Sequence, residues 1–362
     1  MKDGKMGKCM ALAFVMTLWL SACSSTSGNG TSSAQPAPQP VLYPASEQTS
    51  QPAQRPSVEP PAQSSAASGN ASANSQRHSE NQTITAIPDQ NPQAAPMPGS
   101  SDANVKVDHV VVVIEENHSY KQIVGNKQAP FMNELIASGA LFTNAHGVIH
   151  PSQPNYLALF SGSTQGVKDD ACGKTFSTDN LASVLIKKNL SFTGYSEDLP
   201  KPGYTGCSAN GYARKHNPWV QFTNIPAELN QPLTAFPQDY SQLPTVSFVI
   251  PNHQNDMHDG TIQQADAWLK EHLNAYVKWA QSHHSLLIVT WDEDDFSKDN
   301  HIPTILIGPM VKPGKYDQSI NHYNVLRTIT DLFQLEPIGE SAKAESLSSV
   351  WQREGKERIS EK

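Results

Sequence analysis

Val110-Val111-Val112-Val113-Ile114 is an uninterrupted run of branched apolar side chains. Such residues are stiff at χ1 and favour extended backbone. A strand apolar on both faces must be covered on both faces, as happens when a parallel sheet packs between two layers of helices. Residues 245–250 and 286–290 repeat the pattern, and 191–195 and 304–307 give shorter strands. Between them the period changes. Over 263–281, Ala265, Trp268, Leu269, Leu273, Tyr276 and Ala280 fall on one helical face, and over 322–333 Val325, Leu326, Ile329 and Phe333 do the same. Shorter helices are expected around 130–137, over 154–162 with Pro154 in the first turn, and over 180–188. Strands alternating with helices predict an α/β domain over 105–340, with a mainly parallel central sheet and helices on both faces.

The flanks read differently. Lys2, Lys5 and Lys8 precede an apolar stretch at 10–20 that is too short to cross a bilayer, followed by small residues. Leu20-Ser21-Ala22-Cys23 resembles a bacterial lipobox. That resemblance implies a signal peptide over 1–23, lipidation of Cys23 and a membrane anchor in the cell envelope. Ser24 favours the outer membrane. Residues 24–104 are rich in Ser, Pro, Gln, Ala and Asn and cannot bury enough apolar surface to offset their ordering entropy, so a disordered linker is expected. The charged stretch 341–362 reads as a peripheral tail. Residues 205–240 lack period and are expected to form a long ordered loop. In an oxidising compartment Cys172 and Cys207 are expected to pair. The formal net charge of -8, with no basic stripe, argues against a nucleic-acid partner. Nothing calls for an obligate protein partner.

Four polar clusters stand directly behind apolar runs or a short loop: Glu115-Glu116-Asn117-His118, His150-Pro151-Ser152-Gln153-Pro154-Asn155, Asn255-Asp256-Met257-His258-Asp259-Gly260 and Asp292-Glu293-Asp294-Asp295. Ligands of open α/β sheets bind at the carboxyl ends of the strands, so these clusters can converge. Glu116, Asn117, Asp292 and Glu293 offer hard oxygen ligands suited to a divalent cation, whereas Glu115 points to the opposite face of its strand. Ser152, read alone, caps the helix that follows. With carboxylates converging on it, it reads as a nucleophile at the positive end of a helix dipole, beside Asn155 as a donor to an anion. Asp256 and His258 form a weak ligand pair. A lone histidine such as His322 is more often structural. Lys215 and His216, with Arg214, are either a solvated turn or a hand for an anionic substrate.

The segments 109–118, 150–162, 251–260, 290–294 and 322–329 together resemble the bacterial phosphoesterase family, which holds acid phosphatases and phospholipases C. The resemblance implies an alkaline-phosphatase-like three-layer sandwich and a covalent phosphoserine mechanism. It casts Ser152 as nucleophile. Asp256, His258 and His322 match positions that bind a second metal in some relatives and contact the phosphate in others, the two histidines then acting in catalysis as phosphate donors and general acid. Asn155, His150, Lys215 and His216 would bind substrate, and Glu116, Asn117, Asp256, Asp292 and Glu293 would bind metal. Asp292-Glu293 stands where two-zinc relatives have Asp-His, which leaves one or two cations open among Zn, Mg, Mn and Ca. The expectation is a metal-dependent phosphomonoesterase acting on a small phosphorylated substrate. The alternatives are a phospholipase C or other phosphodiesterase, and a non-catalytic surface lipoprotein on the same fold.

Overall fold

The computed structural model describes Asp102 and residues 105–352. The signal, linker and Cys23 readings lie outside the described residues. In chain order the elements are β1 (His109–Glu115), α1 (Tyr120–Ile123), α2 (Pro130–Ser138), β2 (Ala140–His146), α3 (Ser152–Ser161), α4 (Leu181–Lys187), β3 (Phe192–Ser196), β4 (Ser208–Ala209), β5 (Tyr212–Ala213), β6 (Asn230–Pro232), β7 (Val246–Ile250), α5 (Ile262–Ala280), β8 (Ser285–Trp291), β9 (His301–Ile307), β10 (Gly314–Tyr316), β11 (Ile320–Asn321) and α6 (His322–Leu332).

The nine-stranded sheet runs β10-β2-β9-β8-β1-β7-β3-β6, with β11 pairing on β2. β1 lies inside it, parallel to β8 and β7, with Val112 opposite both Ile288 and Phe248. Only β9 runs antiparallel to its neighbours, β8 and β2. Val110, Val111, Val112 and Val113 have no exposed surface, and β7 and β8 are buried throughout, so both faces of the central strands are covered. The helices are amphipathic in the register their sequence sets. On α5 the six residues expected on one face are all buried, and Thr261 caps the helix by accepting from the Gln264 amide. Burial of each large apolar side chain contributes on the order of 1.5–3 kcal/mol. Gly162 ends α3 with φ 65, and a Cβ there would come within 1.9 Å of the Ile338 carbonyl oxygen, so glycine is required on both counts.

Two features differ from the sequence reading. β2 was not foreseen, because only its first three residues are continuously apolar and a register shift interrupts it between Phe142 and Ala145. Residues 341–352 are no loose tail: Leu347, Val350 and Trp351 are buried, Trp351 bridges Val311, and its indole donates to Asp102 at 2.8 Å. A few apolar residues suffice to dock this stretch. The 205–240 segment holds short 3-10 turns, the β4–β5 hairpin and β6.

Parallel pairing aligns the carboxyl ends of β1, β7 and β8. The Asp292 amide donates to the Glu115 carbonyl at 3.0 Å, and the Glu116 amide donates to the Asp256 carbonyl at 2.8 Å. Three of the four polar clusters are thereby stitched together by backbone.

Candidate active site

Ser152 is the first residue of α3 and does not cap it; Pro151 occupies the cap position. A carboxylate from another loop takes over the capping role. Asp170 Oδ1 accepts from the Gln153 amide at 2.9 Å. The serine hydroxyl is therefore free for other partners. Its Oγ lies 3.2 Å from Glu116 Oε2 and 3.2 Å from Glu293 Oε1. One hydroxyl proton cannot satisfy both carboxylates at once, so this position favours positive charge.

The acidic wall is dry. Glu116, Asp256, Asp292, Glu293 and Asp294 are each at most 1% exposed. Burial pushes Glu116, Asp256, Asp292 and Glu293 above the usual carboxylate range, and the charge on Asp292 adds to the rise at Glu116 and Glu293. Asn117, with φ 47, donates its amide to Asp292 Oδ1 at 3.2 Å. Asn117 Oδ1, Asp256 Oδ2 and Asp292 Oδ2 are buried without hydrogen-bond partners. Hard oxygens that are desolvated and lack hydrogen-bond partners are the donor set a divalent cation takes.

His216 corrects the sequence reading. Expected as a hand for the substrate, it is buried, with Nε2 3.0 Å from Glu116 Oε1 and Nδ1 3.4 Å from Asp256 Oδ2. Glu116, His216 and Asp256 present ligand atoms within 4.8 Å of one another and so form a second candidate ligand group. Burial, then Lys215 and two neighbouring histidines, hold His216 well below its ordinary pKa, which keeps it available as a neutral ligand. Asn155 is corrected too. Its Oδ1 accepts from the amides of Val148 and Ile149, and its Nδ2 donates to the Ile149 and Pro151 carbonyls and to Glu293. It fixes the turn before Ser152 and has no donor left over for substrate.

His322 is pushed down to about 4 by burial, and its Nε2–H donates to the Asp292 carbonyl at 2.6 Å. It is neutral at ordinary pH and braces β8, so the expected role as a proton carrier is not supported. His150 places Nδ1 2.8 Å from Glu293 Oε2 and Nε2 3.4 Å from Asp294 Oδ1.

Opposite the acids stands Lys215. Its Nζ lies 2.9 Å from Asp170 Oδ2 and 3.3 Å from His258 Nε2. Burial works against its charge, but Glu116, Asp170 and Asp292 outweigh this and raise its pKa. His258 Nδ1 sits 2.7 Å from Asp259 Oδ1, which turns Nε2 toward the lysine. Arg214 is not part of this face; its guanidinium donates to the carbonyls of Thr205, Lys174 and Val220. The expected Cys172–Cys207 disulfide is present, and it ties the loop of Asp170 to the segment leading to Lys215. Asp295 is exposed, and Glu115 is buried.

Sequence reasoning missed three residues. Tyr156 donates its hydroxyl to Glu116 Oε1 and stacks on His216. Its position four residues after Ser152, on the same helical face, was the available signal. His253 stacks on His258 at 4.5 Å and lay within a quoted motif. Asp170, in an aperiodic loop, gave no signal at all.

A family model described as the phosphoesterase family matches residues 126–336. The chain belongs to the phosphoesterase family. It is 52% identical, over 67% of its length and 82% of the relative's, to a phosphatidylinositol-3-phosphatase of Mycobacterium tuberculosis. It is 30% identical to a phosphate-repressible acid phosphatase of Penicillium chrysogenum over 68% of this chain, spanning 65% of that protein's length. A solved protein of the alkaline phosphatase superfamily from Vibrio parahaemolyticus superposes with a TM-score of 0.48 at 16% identity, over 67% of this chain and 70% of that one, too distant to carry weight. As a phosphoesterase, the chain is a hydrolase of phosphate esters.

Proposed function

We propose that this phosphoesterase is a metal-dependent phosphomonoesterase working through a phosphorylated Ser152. The supporting observation is the Ser152 hydroxyl at the amino end of α3, 3.2 Å from two buried carboxylates. A divalent cation held by Glu116, Asn117, Asp292 and Glu293, with Asp256 and His216 as further ligands, would lower the serine's pKa and neutralise phosphate charge. Ser152 Oγ attacks phosphorus, giving its proton to Glu116 or Glu293. Lys215 holds a non-bridging oxygen. The carboxyl that took the serine's proton returns it to the departing alcohol and then takes one from the water that releases phosphate. His258, held by Asp259 at Nδ1, accepts from the Lys215 ammonium through Nε2 and positions it. Relatives named as phosphatases support a monoester over a diester, and phosphatidylinositol 3-phosphate follows an aryl phosphate in the order of substrates to try.

Ser152→Ala is expected to abolish turnover of an aryl phosphate, and acid quenching of the wild type during turnover should trap phosphate on that serine. Undiminished turnover by the alanine variant would sink the assignment.

A further inference from the structure

Large apolar side chains are almost all inside this protein. Among the described residues three are exposed: Ile149 at 39%, Ile186 at 41% and Phe296 at 68%. Two of the three flank one active-site residue. Ile149 precedes His150 in the chain, and the Phe296 ring stacks on the His150 ring at 4.3 Å with an interplanar angle of 20°. His150 Nδ1 is 2.8 Å from Glu293, which is 3.2 Å from Ser152 Oγ, so only one imidazole and one carboxylate separate Phe296 from the nucleophile.

The two loops carrying this pair are held together. Asn300 Oδ1 accepts from the Asp294 amide at 2.8 Å, its Nδ2 donates to the Ile149 carbonyl at 3.2 Å, and its carbonyl accepts from the Gly147 amide at 2.8 Å. Phe296 itself has φ 59, a left-handed backbone that a bulky side chain rarely adopts. Apart from the stack on His150, this strained and largely exposed residue leaves most of its surface open to a ligand.

We propose that Ile149 and Phe296 form a leaving-group subsite for phosphomonoesters whose alcohol is apolar, an aryl ring or an alkyl or acyl chain. This rests on the phosphomonoesterase reading and deepens it. The phosphate sits over Ser152, and the ester oxygen directs the organic part outward across the His150–Phe296 stack. Exposed Asp295, the residue before Phe296 in the chain, disfavours leaving groups carrying further negative charge.

Two measurements test it. In the first, kcat/KM is compared for naphthyl phosphate, dihexanoyl phosphatidic acid and glycerol phosphate in wild type, Phe296→Ala and Ile149→Ser. The ratio of each apolar substrate to glycerol phosphate should fall about tenfold in the variants. A ratio that stays put, or a loss equal on all three, overturns the subsite. In the second, calorimetry compares wild-type binding of phenyl-, hexyl- and methylphosphonate. Tighter binding of the phenyl or the hexyl compound, lost in Phe296→Ala, supports the subsite and tells an aryl preference from an alkyl one; equal binding of all three overturns it. Because binding needs no turnover, a protein that hydrolyses none of the esters would defeat the phosphomonoesterase reading and leave the subsite decided by calorimetry.

Discussion

The acidic and the cationic halves of the pocket are built by different means. Glu116, Asn117, Asp292 and Glu293 stand at the ends of β1 and β8, fixed by a parallel ladder running from His109–Ser285 to Glu115–Trp291. Lys215 sits on a 3-10 turn after the β4–β5 hairpin, held by a disulfide, the Arg214 bonds to three carbonyls, and Asp170, while its neighbour His216 reaches across to the acidic half. The sheet presents groups that repel one another and cannot retreat. The insertion supplies a cation that can be adjusted. A divalent ion is expected to belong to the first half, and phosphate recognition to the second.

The sharpest way to break this division is Asp292→Asn. Losing one charged ligand should lower kcat/KM about a thousandfold and reduce bound metal, measured by elemental analysis. Lys215→Met should instead cost about a hundredfold, mostly in KM, with the metal retained. Metal loss in the lysine variant would show that the two halves are a single unit.

That contrast also explains what the sequence could reveal. Strand ends are legible because an apolar run stops abruptly at a polar residue, as Ile114 gives way to Glu115-Glu116 and Trp291 to Asp292. Glu116, Asn117, Asp292 and Glu293 are legible in this way, whereas Asp256 stands in a weak Asp-x-His pattern that no strand end singles out. Lys215 was named, but its partner Asp170 was not, since a contact between residues 45 apart across aperiodic chain leaves no periodicity to read. The expected roles of Asn155 and His322 had the opposite weakness. Motif position alone does not show that backbone groups already occupy their polar atoms.

Stability against pH offers a smaller effect confined to the acidic half. The folded pKa values of Glu116, Asp256, Asp292 and Glu293 lie above those of unfolded carboxylates, so the folded metal-free chain binds more protons than the unfolded one. Stability contributed by these groups is complete below about pH 4 and is lost as pH rises through neutrality. Thermal melts in chelator should show Tm falling from pH 5 to pH 8 by several degrees. Added divalent cation should restore more at pH 8 than at pH 5. A chelated protein whose Tm is unchanged or rises over that range would contradict the buried-acid account.

Asp170 joins the halves, and the smallest predicted effect falls there. Its Oδ1 accepts from Gln153 N at the head of the nucleophile's helix, and its Oδ2 accepts from Lys215 Nζ, each at 2.9 Å. Asp170→Asn keeps an acceptor for the helix amide but turns donors toward the lysine. Tm and metal content should then stay close to wild type while KM for an aryl phosphate rises about tenfold. Asp170→Ala removes both contacts and should add a stability loss of about 1 kcal/mol. If the two variants instead share one KM and one Tm, the carboxylate serves neither function separately, and the cationic half owes its placement to the disulfide and the hairpin.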